Sequence, residues 1–211
     1  MRIMPSVLDP EETYKLMTGV VVPRPIAWVT LLSEDGVLNL APFSCFTFVS
    51  SKPPMVGINI GRKAGVRKDT GHNIHRGGEF VVNIPDETMI EAVHHSAVEY
   101  PPGVSEVETL GLDTVDSDRV GVARLRDVPV SLECRLHSVT ECGLTGAEFV
   151  VGEVLAFHIR DSLMADGKVD TAAMRPIARI AGPNYAALGE ITSMRPTART
   201  PKTVLVEGGE R

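Results

Sequence analysis

Two runs in the second half of the chain, VPVSLECRLHSVTE (128–141) and AEFVVGEVLAFHIRD (147–161), are rich in β-branched residues. They are separated only by Cys142-Gly143-Leu144-Thr145-Gly146. Composition of this kind reads as extended strand, and a short link with two glycines folds one strand back on the other as a long hairpin. Upstream, PIAWVTLLS, VLNLAPF, FTFVSS, MVGINI and FVVNI are shorter apolar runs bounded by Gly, Pro, Asn or Asp. Asp35-Gly36 between the first two is a tight-turn signal, because Gly readily takes positive φ.

Helical signals are few. Asp9-Pro10-Glu11-Glu12 combines an N-cap, a proline at the first helical position and a capping-box glutamate, and predicts a short helix to about Met17. Thr70 or Asp69 can cap a second helix through Arg76, stopped by Gly77-Gly78, and Glu87 to Ala97 reads as a third, closed off before Pro101-Pro102. No strand-helix-strand rhythm is sustained and no internal repeat is present. The expectation is a mainly β protein with short helices, a decorated β-barrel and not a doubly wound sheet.

At 211 residues the chain suits one domain, here residues 1–194, followed by a Pro- and Gly-containing tail or dimer arm at 195–211. No apolar run approaches the ~18 residues of a membrane span. The N-terminus lacks an apolar signal core, and Cys45, Cys134 and Cys142 are odd in number and far apart, which points to the cytoplasm. A formal net charge of −6 argues against general nucleic-acid binding.

Charge is nevertheless polarised. Residues 61–78, GRKAGVRKDTGHNIHRGG, carry Arg62, Lys63, Arg67, Lys68 and Arg76 against Asp69 alone. Residues 86–118 hold nine acids and neither Lys nor Arg, a run that reads first as solvated surface. A basic island of this size suits a small anion. Within it, Lys68 can neutralise a phosphate and Thr70 and Asn73 can donate to its oxygens at a helix start, where free N–H groups favour anions. Capping of the helix by Asp69 or Thr70, with the cations in solvent, is the other reading open on this segment. GxxxxGK[ST] is absent, so a mononucleotide such as FMN suits the segment better than a triphosphate.

Two further stretches bear on a ligand. In Asn39-Leu-Ala41-Pro42-Phe-Ser44-Cys45, Pro42 cannot donate to a ladder, so the strand bends or lies at an edge there and exposes neighbouring backbone to a ligand. In Val22-Pro-Arg24-Pro-Ile-Ala-Trp28, two prolines stiffen the segment that carries Arg24, although a surface arginine is the default. Adjacent His94 and His95 face different ways on a helix, His72 and His75 lack completing ligands, and His137 and His158 read as strand packing. No metal site is expected.

The ordered set PRPIAWVT, NLAPFSCF, SSKPP, RKDTGHNI and GEFVVNI resembles the flavin reductase-like family of FMN-binding split-barrel proteins. The similarity continues through AVHHSA, Tyr100-Pro-Pro-Gly-Val, VSLECRL, VVGEV and ARIAGPNYA. The resemblance implies an FMN-binding split β-barrel, a homodimer, and FMN near the dimer interface. It places Asn39, Ala41, Pro42, Ser44 and Cys45 by the isoalloxazine and Ser50, Ser51, Lys68, Thr70 and Asn73 by the ribityl and phosphate end, with Arg62 and Lys63 as further phosphate partners. Arg24 and Trp28 complete the cofactor-binding candidates. At Arg179-Ile-Ala-Gly-Pro-Asn184-Tyr185 the chain keeps one aromatic of the family's pair and has Asn184 in place of the other. The activity implied is an oxidoreductase in which NADH or NADPH reduces flavin or another small acceptor through FMN. The alternative is an FMN-binding electron carrier or flavin-storage protein without turnover. Hydride transfer requires no side-chain acid or base, and none is assigned.

Overall fold

A computed structural model describes residues 1–63, 65–101 and 103–195; apart from residue 195, the expected tail or arm lies outside the described residues. The apolar runs form seven strands: β1 Ala27–Leu32, β2 Leu38–Phe43, β3 Phe46–Ser51, β4 Pro54–Ile60, β5 Glu79–Ile84, β6 Val130–Cys142 and β7 Ala147–Ile159. They make one antiparallel sheet in the order β2-β1-β5-β6-β7-β4-β3. The edge strands β2 and β3 are consecutive in sequence, joined only by Ser44-Cys45.

That connection dictates the shape. Laid flat, six inter-strand steps would separate the edges by about 29 Å. The three peptide units from Phe43 to Phe46 reach at most about 11 Å. The sheet must therefore curl until its edges meet at this corner, where Asn59 N–H on β4 donates to the Cys45 carbonyl at 2.8 Å. The result is a β-barrel closed at one corner and split along the rest of the seam, as the resemblance implies.

Inside, Ala27, Val29 and Leu31 of β1 pack with Phe80, Val82, Leu132 and Val150. The alternate residues of β1 do not face water. Trp28 enters a second core with Leu40, Val93, Val107 and Leu125, closed by two short helices, Ile90–His95 and Glu106–Thr109. Its indole N–H donates to Ser96 Oγ at 2.8 Å, which satisfies the polar edge of a ring that is 1% exposed.

The N-terminal helix α1 (Pro10–Val20) has the expected capping box, Asp9 with Glu12, and runs one turn further than expected. It ends against Arg24, which donates to the Thr18 and Val21 carbonyls at 2.7 and 2.5 Å and to the Ile180 carbonyl at 3.2 Å. Arg24 is thus a buried clamp for a helix C-terminus and not a surface residue, its charge complementing the exposed carbonyls there. The expected helix over 87–97 is shorter: a 3-10 turn, Glu87–Met89, capped by Asp86, precedes the α-helix Ile90–His95.

The basic island finds much of its counter-charge in the barrel wall. Glu148 on β7, 4% exposed, receives Arg67 on both oxygens (3.1 and 2.5 Å), with His75 at 3.3 Å and Arg62 at 3.7 Å. The Arg67 hydrogen bonds hold the Glu148 carboxyl below its ordinary range, against the opposing effect of burial. These contacts fix both the short ladder of Arg62–Lys63 with Val66–Arg67 and the following helix α2 (Asp69–Gly77) to the barrel.

A carboxyl whose folded pKa is depressed stabilises above its unfolded value, near ~4.3, and loses that contribution as pH falls through the folded value. Glu148→Gln is therefore expected to cost roughly 1–3 kcal/mol at neutral pH and to flatten the acid limb of stability, measured by urea unfolding between neutrality and acid. An equally steep acid limb in the variant contradicts this role. Gly152 tests the interior. A Cβ there would lie 2.4 Å from Phe80 Cζ and 3.3 Å from Cys134 Cβ, both buried. Gly152→Ala should destabilise by about 1–3 kcal/mol through overpacking, read in the same assay.

Candidate functional site

As the outer strand of the split, β2 has outward-facing backbone groups that no strand pairs. Two of these positions are covered: the Leu38 carbonyl accepts from Ser105 Oγ at 2.6 Å, and Leu40 N–H donates to Glu106 Oε2 at 2.9 Å. The next outward position is Pro42, which has no N–H to satisfy. Beside it opens a cavity of about 480 Å3, within the ~300–1,000 Å3 range of small-molecule clefts.

Three segments and Glu106 wall this cavity. Asn39, Ala41, Pro42 and Phe43 of β2 form one side; Lys63 and Val66 to Thr70 form another; Ser96 to Tyr100 form the third. The start of α2 faces it with an unusual cap. Lys68, and neither Asp69 nor Thr70, occupies the N-cap position, and its side chain makes no capping hydrogen bond. Among the described residues no side chain accepts from the first-turn N–H groups, which leaves a positive end available to an anion. Thr70 is 5% exposed and lines the cavity. Behind it, Asn73 donates to Asn39 Oδ1 at 3.4 Å, and Asn39 in turn reaches Glu106 at 3.4 Å.

The cations differ in how far the protein already uses them. Arg62 donates to the Gly146 carbonyl at 2.8 Å and pairs with Glu141 and Glu148, and Arg67 is taken by Glu148. Lys63 pairs with Glu99, whose carboxyl it holds below the ordinary range. Among the described residues, Lys68 is the cavity cation with no hydrogen bond or ion pair to a protein group.

A smaller cavity of about 200 Å3 adjoins the first, sharing Pro42, Phe43 and Ala97. Tyr14, Thr18, Arg24, Ser44, Arg179 and Tyr185 line it. Tyr185 is held by three contacts: its hydroxyl meets an Arg179 guanidinium nitrogen, His94 Nδ1 lies 3.4 Å from the same hydroxyl, and Arg179 sits 4.6 Å over the ring. Arg24 also reaches Ser44 Oγ at 3.4 Å.

The structure therefore gathers Asn39, Ala41, Pro42, Lys63, Lys68 and Thr70 around one cavity and Arg24 and Ser44 around its neighbour, with Asn73 directly behind the wall. Trp28 is buried and supports Ser96. Cys45 is exposed at the barrel corner, Ser50 and Ser51 lie on β3, and Arg62 faces Glu148; none of these four lines either cavity. Tyr100 and Glu106, which also line the first cavity, carry no individual signal in the sequence, whereas Arg179 and Tyr185 belong to the end motif whose contact with flavin or substrate the resemblance leaves open. Glu106 was hidden in an acidic run whose plain reading was solvent.

Residues 17–173 match the family model described as Flavin reductase like domain. The chain is similar in structure to nitrilotriacetate monooxygenase component B from Bacillus cereus, with 36% identity and a TM-score of 0.89, covering 92% of this chain and 98% of that one. It is also similar to 2-nitrobenzoate 2-nitroreductase NbaA from Pseudomonas fluorescens, with 33% identity, a TM-score of 0.83, and coverage of 95% and 97%. The fold alone extends to flavoredoxin of Desulfovibrio vulgaris, at 20% identity and a TM-score of 0.74, with coverage of 92% and 97%. A match running from the last part of α1 through all seven strands of the split barrel shows that this chain belongs to the flavin reductase-like family.

Proposed function

We propose that the chain is an FMN-binding oxidoreductase that uses NADH or NADPH to reduce flavin or another small acceptor. One observation carries the reading: an uncapped helix start with the unpaired Lys68 and a strand edge interrupted by Pro42 face each other across one cavity. A mononucleotide needs both, an anion site at one end and a flat apolar wall with backbone acceptors at the other. The residues fit that group. Lys68, Thr70 and the first turn of α2 take the phosphate, and Ala41 to Phe43 take the ring edge. The bound flavin supplies the redox chemistry; the chain positions it and limits water.

The adjoining smaller cavity is the natural place for the nicotinamide or acceptor. Arg179 and Tyr185 there present a cation and a hydroxyl to a carbonyl, nitro or carboxylate group. Relatives that include a monooxygenase component and a nitroreductase support an oxidoreductase reading.

A cytoplasmic homodimer belongs to the same reading. No residue of α1 is buried, and Met17, Val20 and Phe48 are 56%, 73% and 70% exposed. An eleven-residue helix is marginal in water without tertiary packing, so this face calls for a cover, which a second copy supplies.

Lys68→Ala and Thr70→Ala should each weaken FMN by about 1–3 kcal/mol in a fluorescence titration; unchanged affinity removes the phosphate assignment. In anaerobic mixing of the FMN-loaded protein with NADH or NADPH, the flavin absorbance should bleach with at least one of them. Bleaching by neither leaves the electron-carrier reading. Sedimentation should give a dimer of 22.7 kDa chains, reduced to monomer by Met17→Glu with Val20→Glu. A dimer that survives both substitutions moves the interface elsewhere.

A further inference from the structure

A third cavity, of about 350 Å3, shares no lining residue with the two described above. Arg124, Arg126 and Arg160 converge on it from two separate segments, with Ser131 and His158 in its wall. Those two are directly opposed in the β6–β7 ladder. In a chain of net charge −6, three arginines around one cavity should have carboxylate partners. Among the described residues none of the three forms an ion pair.

What holds them is backbone. Arg126 donates to the Thr114 carbonyl at 2.9 Å and Arg160 to the Asp127 carbonyl at 2.7 Å. Each contact pins a guanidinium while leaving most of its N–H groups free. Arg124 goes further. Its Nε is covered by the protein itself, and no guanidinium nitrogen of Arg124 has a hydrogen-bond partner among the described residues, which leaves its terminal N–H groups to the cavity it lines. The two carboxylates beside the wall residue His158 are already engaged. Glu133 accepts the Asp118 and Arg119 N–H groups at 2.8 and 2.6 Å and is bonded to His158, and Asp118 lies 3.8 Å from the same imidazole.

We propose that this cavity binds the phosphate group of a small phosphorylated ligand, a phosphate monoester or a pyrophosphate, with Arg124, Arg126 and Arg160 as its donors. A tetrahedral oxyanion presents acceptors in several directions and suits guanidinium groups arriving from separate segments, whereas a planar carboxylate is satisfied by one. The size of the cavity leaves room for an organic body beside the phosphate. The site is independent of the flavin reading, because the two cavities have no residue in common.

The test is calorimetric titration of the full-length protein, loaded with one FMN per chain and freed of excess FMN, with pyrophosphate, AMP and adenosine. Pyrophosphate or AMP should bind saturably and adenosine should not; AMP binding more tightly than pyrophosphate identifies a nucleotide source, and the reverse identifies a free phosphate compound. Arg124→Gln should weaken binding about tenfold or more, and Arg124→Lys less, with far-UV circular dichroism and FMN affinity unchanged. No saturable binding of either phosphate compound overturns the proposal. So does binding that persists unaltered in Arg124→Gln combined with Arg160→Gln.

Discussion

Two residues, Ser44 and Cys45, connect the opposite edges of a seven-stranded sheet, and this short tether is the constraint on which the rest of the structure depends. A chain that must pass from one edge to the other within three peptide units cannot leave the sheet open. Closure brings Ala27, Val29 and Leu31 against Phe80, Val82 and Val150 as the barrel core. It also leaves β2 unpaired along most of its outer side, since only the corner is tied.

That unpaired edge is where the chemistry gathers. Ser105 and Glu106 cover its outward positions at Leu38 and Leu40, and the following position, Pro42, needs no donor partner. The same rim holds the start of α2, carried there because Arg67 and His75 are locked to Glu148 on the barrel wall. Arg62, Arg67 and Lys63 are paired within the protein, and Lys68 keeps its charge for the cavity. A basic stretch that looks uniform in sequence is thus divided by the fold into structural cations and one available to a ligand.

The strands were legible because their signals are local: β-branched runs, Asp35-Gly36 and the glycines flanking the long hairpin. Pro42 likewise marked an edge, since a missing N–H excludes a central position. What was not legible depended on partners distant in the chain. Arg24 looked like a surface residue until the end of α1 and Ile180 came to it. Glu106 and Glu148 carried no individual signal, because their roles rest on residues 66 and 81 positions away. His158 read as packing, whereas it is the partner of a fully buried Glu133. Asp69 and Thr70 fitted the local rules for a helix cap, yet the chain starts the helix one residue earlier and leaves its first turn facing the cavity.

We infer that the rim of the split, with Pro42 on one side and Lys68 and Thr70 on the other, is built for one mononucleotide. The most direct test is the absorbance spectrum and mass of the small molecule released when purified protein is denatured. The expected molecule is FMN, retained at up to one per chain or taken up on incubation. A protein that releases no flavin and acquires none from excess FMN contradicts this inference.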